Sequence, residues 1–190
     1  MSEIKYRFNP LIGERVMVYE NQYQHVYKVD LDFGTFSKKL FVTDYGQRVG
    51  VLVKGPKGIL LTRQYRYLID KESWEIPGGK VNKDEGLEAA AIRECIEETG
   101  VLCRSLKPLI TFQPGLDTLH NPTHLYYTSD FEENCVPEFF HRDEVCELKW
   151  VSYDECFSMI FSENIIDSLS VIALLTFDTL FRERLQKSPN

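Results

Sequence analysis

The segment D-E-G-L-E-A-A-A-I-R-E-C-I-E-E-T-G, residues 84–100, constrains this chain more than any other. Its residues are strong helix formers, acids open it, and Gly100 stands where a left-handed C-terminal cap belongs, so the spacing predicts a helix over 84–99. In that helix Glu94, Glu97 and Glu98 fall at i, i+3 and i+4 and share one arc, while Ala89, Ile92, Cys95 and Ile96 form an oily face. Like charges so spaced destabilise by about 0.2–0.5 kcal/mol per pair, and acids in a last turn oppose the helix dipole. Arg93 can pair with Glu97, but one guanidinium cannot neutralise three carboxylates. Either the face is simply solvated, which is the ordinary reading of an isolated E-x-x-E-E, or a hard divalent cation compensates it.

The flanking sequence reads as strands. Residues 14–20, 24–33 and 38–44 are rich in β-branched and aromatic residues and predict an antiparallel meander; 48–54 and 58–66 predict a second pair, joined by the turn G-P-K-G. Residues 67–81, broken by Pro77, Gly78 and Gly79, predict a loop. Strands are expected at 106–112, 123–131 and 146–152, and helices at 154–162 and 167–185. The resulting class is α/β, in the α+β sense, with one domain-sized core.

A net charge of −7 without a Lys/Arg cluster argues against nucleic acid. Apolar runs such as V-G-V-L-V and V-I-A-L-L are far shorter than the roughly 20 residues of a membrane span. The N-terminus lacks a signal peptide's apolar region, so a soluble cytoplasmic protein is expected. Five cysteines with no C-x-x-C pair read as reduced, mostly buried thiols, and the scattered histidines do not suggest a histidine-built metal site.

Gly79, Glu85, Arg93, Glu94, Glu97, Glu98 and Gly100 fit the pattern G-x5-E-x7-R-E-U-x-E-E-x-G-U, with Cys95 and Val101 at the bulky apolar positions U. This resembles the Nudix box, and only Cys95 departs, standing where the family prefers Ile, Leu or Val. The segment L-T-R-Q-Y-R through W-E-I-P-G-G-K and the tail I-I-D-S-L-S-V-I-A-L-L resemble the ADP-ribose and nucleotide-sugar pyrophosphatase branch. The resemblance implies a Nudix-type αβα sandwich with a mixed sheet, residues 1–45 as an N-terminal antiparallel β extension that pairs two subunits into a homodimer, and residues 46–190 as the hydrolase domain. It implies Mg²⁺ or Mn²⁺, held by Glu94, Glu98 and the carbonyl of Gly78. Glu97 would act through a bound water at the metal or as a base, and Arg93 would orient the carboxylates while pairing with Glu85.

By the same resemblance, Arg66 and Arg63 would hold a diphosphate, and Glu75 would touch a ribose or support its loop. Glu144 would be the general base on a loop before the last strand, with Asp143 or Glu147 as alternatives. The loop around Pro114 departs from the branch's S-P-G followed by S-E, since Thr118 and Leu119 stand there instead. That departure moves the expectation from ADP-ribose toward a nucleoside diphosphate sugar. His120 and His124 are read as surface or core histidines, and Tyr19, Tyr23, Tyr27 and Phe33 as core or interface residues, one of which could stack on a base. The expected reaction cleaves a pyrophosphate bond to give a nucleoside monophosphate and a sugar phosphate. A nucleoside triphosphate pyrophosphatase and a non-catalytic nucleotide-sugar-binding module are the alternatives, the latter disfavoured because every box carboxylate is present.

Overall fold

The computed structural model describes residues 9–135 and 145–186, with side chains to residue 180. In chain order the strands are β1 (Leu11–Ile12), β2 (Val16–Glu20), β3 (His25–Asp32), β4 (Ser37–Asp44), β5 (Arg48–Gly55), β6 (Gly58–Arg66), β7 (Lys71–Glu75) and β8 (Gly78–Lys80). After helix α1 (Leu87–Thr99) come β9 (Leu102–Cys103), β10 (Lys107–Phe112), β11 (Leu119–His120), β12 (Thr123–Thr128), β13 (Phe131–Glu132) and β14 (Val145–Val151), then α2 (Tyr153–Phe161) and α3 (Ser168–Gln186). The chain divides into two compact units, one of residues 1–46 with 113–121 and one of residues 47–112 with 122–190. The segment 113–121 thus packs with the N-terminal strands.

In the N-terminal unit β3 is central, antiparallel to β1, β2 and β4, and β11 adds a short parallel edge to β4. Its apolar burial is sparse. Val29 and Val42 are buried, while Leu11 and Ile12 are 76% and 72% exposed and Tyr19, Tyr23 and Phe41 also face solvent.

The second unit is built on a mixed sheet in the order β10-β12-β5-β6-β14, with β7 on β6 and β8 on β5; β12 runs parallel to β5 and the other pairs are antiparallel. Because side chains alternate across a strand, β5 feeds two cores. Val49, Val51 and Val53 join Ala90, Ala91 and Cys95 of α1, whereas Leu52 joins Ile165, Leu169, Ala173, Leu174 and Phe177 around α3. Gly50 faces the α3 side, where any side chain would press on Leu125 and Ile76. A sheet buried on both faces explains why β5 reads as a continuous apolar run.

Three expectations change. The stretch 67–81 is not a plain loop: after a 3₁₀ turn at Tyr67–Ile69 it forms β7 and β8, registered on β6 and β5 with Trp74 opposite Arg63 and Gly78 opposite Gly50. Gly78 is required there, since a Cβ would strike the backbone of Val49 and Gly50. The helix begins at Leu87 rather than residue 84, because Asp84 takes a left-handed φ of 65° and the Glu85 carboxylate turns back to accept the Asn82 N–H at 2.9 Å. The buried stripe also shifts. Ala90, Ala91, Cys95 and Thr99 are its centre, and Ala89 is exposed.

Candidate active site

The shift of that stripe decides how the three carboxylates differ. Ala91, Glu94, Cys95 and Glu98 follow one another at i, i+3, i+4 and i+7, so Glu94 and Glu98 lie along the margin of the apolar face, not opposite it. The Glu94 side chain is 15% exposed and the Glu97 side chain 35%. Gly100, at φ 69°, ends the helix with its N–H on the Ile96 carbonyl at 2.9 Å.

Arg93 binds the cluster together. Its Nε and Nη2 grip Glu85 at 2.8 and 3.0 Å, its Nη1 donates to Glu94 at 2.8 Å and Glu97 at 2.9 Å, and its Nη2 also reaches the Lys80 carbonyl at 2.9 Å. All five guanidinium N–H groups are thereby used. Hydrogen bonding to Glu85 raises the Arg93 pKa, and the same contact holds Glu85 below its usual range. The motif's arginine is thus a brace between the incoming loop and the helix.

Glu98 lies outside that brace. Its oxygens accept the Gly78 N–H and the Gln64 Nε2, each at 3.1 Å, and burial pushes its carboxyl up to about 7. Burial likewise raises Glu94, although Arg93 opposes the rise. Two hard oxygen donors whose ionised forms the protein does not fully compensate fit a divalent cation. Among the described residues no three His, Cys, Asp or Glu side chains form a cage. Glu94 and Glu98 would by themselves supply only part of the oxygen shell of a hard cation such as Mg²⁺ or Mn²⁺, the remainder coming from water or phosphate. Gly79 keeps the approach open, because any side chain there would overlap the Glu94 carboxylate.

The two arginines of β6 part company. Gln64 and Arg66 share one face of the strand and Arg63 lies on the other. Arg66 is bonded twice by the buried Glu75, its Nε at 2.7 Å. Arg63 instead spans Glu72 and Glu147, both at 2.9 Å, and lies over the Trp74 ring at 5.7 Å. Arg66, Glu75 and Gly78 line a cavity of about 350 Å³ with Asp167 and Ser73. Pro114 is exposed in the N-terminal unit, where His120 pairs with Asp44 at 3.0 Å. His124 bridges Thr111 and Gln47 at 3.1 and 2.9 Å. Glu144 and Asp143 lie outside the described residues.

Sequence reasoning passed over Gln64, Ser73 and Asp167. Gln64 had a readable signal, since it is two residues before Arg66 and so on the same strand face. Ser73 and Asp167 lie inside the two segments that resemble the branch, but no local spacing ties one to the other, because they converge from β7 and the residue before α3.

A NUDIX domain model matches residues 44–168. The chain belongs to the NUDIX family. It is 31% identical over 77% of its length to the methanol dehydrogenase activator of Bacillus methanolicus, covering 79% of that protein. It is 30% identical over 86% of its length to a CMP-5'-(N-acetyl-N-hydroxy-3-aminopropyl)phosphonate hydrolase of Streptomyces rubellomurinus, covering 79% of it. An ADP-ribose pyrophosphatase of Bacillus subtilis is 25% identical over 79% of the chain and 81% of that protein. A crystal structure of an ADP compounds hydrolase superposes with a TM-score of 0.77 at 15% identity, covering 92% of this chain and 95% of that one, which establishes the shared α+β NUDIX fold. The chain is accordingly a NUDIX hydrolase of the ADP-ribose-like branch, and among its described residues no helix is long and apolar enough to cross a membrane.

Proposed function

We propose that this NUDIX enzyme hydrolyses the pyrophosphate bond of a nucleoside diphosphate sugar or of ADP-ribose, with Mg²⁺ or Mn²⁺, releasing a nucleoside monophosphate and a sugar phosphate. The observation that carries the reading is Glu98, a carboxyl buried beside Glu94 and pushed up to about 7, where the bound cation's chemistry would be to neutralise phosphate charge and acidify water. The names of two relatives, one for ADP-ribose and one for a CMP-linked phosphonate, support a nucleotide joined to a second moiety.

The chain's own residues do the rest. Arg93 holds Glu94 and Glu97 in register, and Gln64 and the Gly78 N–H fix the Glu98 carboxylate. Glu97, the more exposed acid, takes a proton from the attacking water as its oxygen bonds to phosphorus and the bridging P–O bond breaks. Glu144 is the other candidate for this base. Arg66, held by Glu75, steadies the diphosphate with the donors that Glu75 leaves over. The exposed apolar strands of the N-terminal unit pair two copies into a homodimer, and five free thiols suit a reducing, cytoplasmic setting.

The test is turnover with Mg²⁺ on ADP-ribose, ADP-glucose, GDP-mannose and nucleoside triphosphates, with phosphate products counted. Release of one nucleoside monophosphate per sugar phosphate is expected. Cleavage of triphosphates alone would overturn the reading, and comparing Glu97→Gln with Glu144→Gln assigns the base.

A further inference from the structure

The cavity beside the box contains polar atoms that the fold leaves unanswered. Ser73 is 1% exposed, lines the cavity, and its hydroxyl has no hydrogen-bond partner. Asp167, which lines the same cavity, uses one oxygen to cap α3, accepting the Ser170 N–H at 2.9 Å, while its Oδ1 is buried and unpartnered. Buried polar atoms are almost always satisfied in a folded protein, because each one left alone costs the full desolvation of the group. Two such atoms on one cavity, next to the Glu94 and Glu98 carboxylates, mark a place where a ligand supplies the missing partners.

The charge of the wall limits what that ligand can be. Arg48 and Arg66 contribute two guanidinium groups, and Glu75 and Asp167 contribute two carboxylates. A further cation would meet the arginines, and a bare anion would meet the acids. A neutral group rich in hydroxyls suits both. The cavity also has a direction: Gly78 lines it and donates its N–H to Glu98, so that end adjoins the carboxylates of the box.

We infer that this cavity is the subsite for the sugar half of the substrate, with Asp167 Oδ1 and the Ser73 hydroxyl receiving its ring hydroxyls and thereby selecting sugar-bearing diphosphates over triphosphates. The assignment rests on the proposed reaction for its biological meaning, but it can be tested apart from it. Neither residue belongs to the Nudix box itself, residues 79–101.

Binding of ribose 5-phosphate and of inorganic phosphate to the metal-free protein, measured by calorimetry, is the experiment. Wild type is expected to bind ribose 5-phosphate at least about tenfold more tightly than inorganic phosphate. Asp167→Asn keeps a competent helix cap and should weaken ribose 5-phosphate about tenfold, the worth of a hydrogen bond to a charged acceptor. Ser73→Ala should weaken it about threefold while leaving Tm unchanged or raised, since an unpartnered hydroxyl does not support the free fold. Unaltered binding in both variants, equal affinity for the two probes, or no binding of ribose 5-phosphate to wild type would each overturn the assignment. A fall in Tm for Ser73→Ala without a change in affinity would instead make its hydroxyl structural. Because no turnover is involved, failure of the substrate panel would sink the reaction and leave this result standing, and the reverse also holds.

Discussion

Two arginines of this chain are each gripped side-on by a glutamate, Arg93 by Glu85 and Arg66 by Glu75, and the two pairs end up with opposite characters. Around Arg93 every donor finds an acceptor within the protein, so the pair is closed. Around Arg66 only the Glu75 bonds are described, and the neighbouring Asp167 and Ser73 each keep an unpartnered atom. The difference teaches that an identical contact serves two ends. A saturated arginine stiffens the frame that carries the charges, whereas an unsaturated one leaves polar capacity for something that arrives from outside.

The sharpest way to break this comparison is at Glu98, which belongs to neither arginine. Glu98→Gln should lower kcat by about 10²- to 10³-fold, the range for losing one preorganised electrostatic group, with Tm held or raised because an amide tolerates that buried position better than a charge. A fall in Tm with normal kcat would make Glu98 a structural acid. Next is Arg93→Ala, which strands Glu85, Glu94 and Glu97. With Arg93 26% exposed, a loss of about 2–3 kcal/mol is expected in urea unfolding, below the 3–5 kcal/mol of a fully buried pair. Stability within 0.5 kcal/mol of wild type, on the order of a neutral surface change, would show that the closed brace is not one.

The open pair predicts a pH effect. Burial first and the Glu75 charge second push Asp167 from 3.8 up to about 6. A carboxyl raised in the folded state is bound to more protons there than in the unfolded chain, so its contribution is complete below about pH 4 and fades as pH rises through 6. Asp167→Asn should therefore remove on the order of 2 kcal/mol of decline across that window. Identical slopes for mutant and wild type would mean that the carboxyl is not so perturbed. The smallest effect is expected at Arg63, whose partners are half in water. Arg63→Met should cost about 1 kcal/mol and leave KM unaltered, since Arg63 spans β6, β7 and β14 and does not line the cavity; a large rise in KM would place it on substrate after all.

Much of the second unit could be read along the chain. The alternation of β5 and β6, the helix over the acidic run and its Gly100 cap depend on near neighbours, and local periodicity reports these directly. The loop 67–81 could not be read as β7 and β8, because three-to-five-residue strands with Pro and Gly gain their stability from the partners they register on, β6 and β5. The helix start moved for a similar reason. Its intrinsic propensity extended to Asp84, but Glu85 is committed to the Asn82 N–H three residues back and to the Arg93 guanidinium two turns ahead.

What the amino-acid order determined alone was the acidic helix and its i, i+3, i+4 spacing, hence the family and the identity of the charged groups. What only tertiary structure decided was which of those groups became perturbed. Glu94 and Glu98 are half-buried because the apolar stripe of α1 centres on Ala91 and Cys95 when pressed onto β5, and Ser73 and Asp167 come to line one cavity because β7 and the residue before α3 converge there. Burial and convergence depend on distances between remote segments, and no local pattern encodes them.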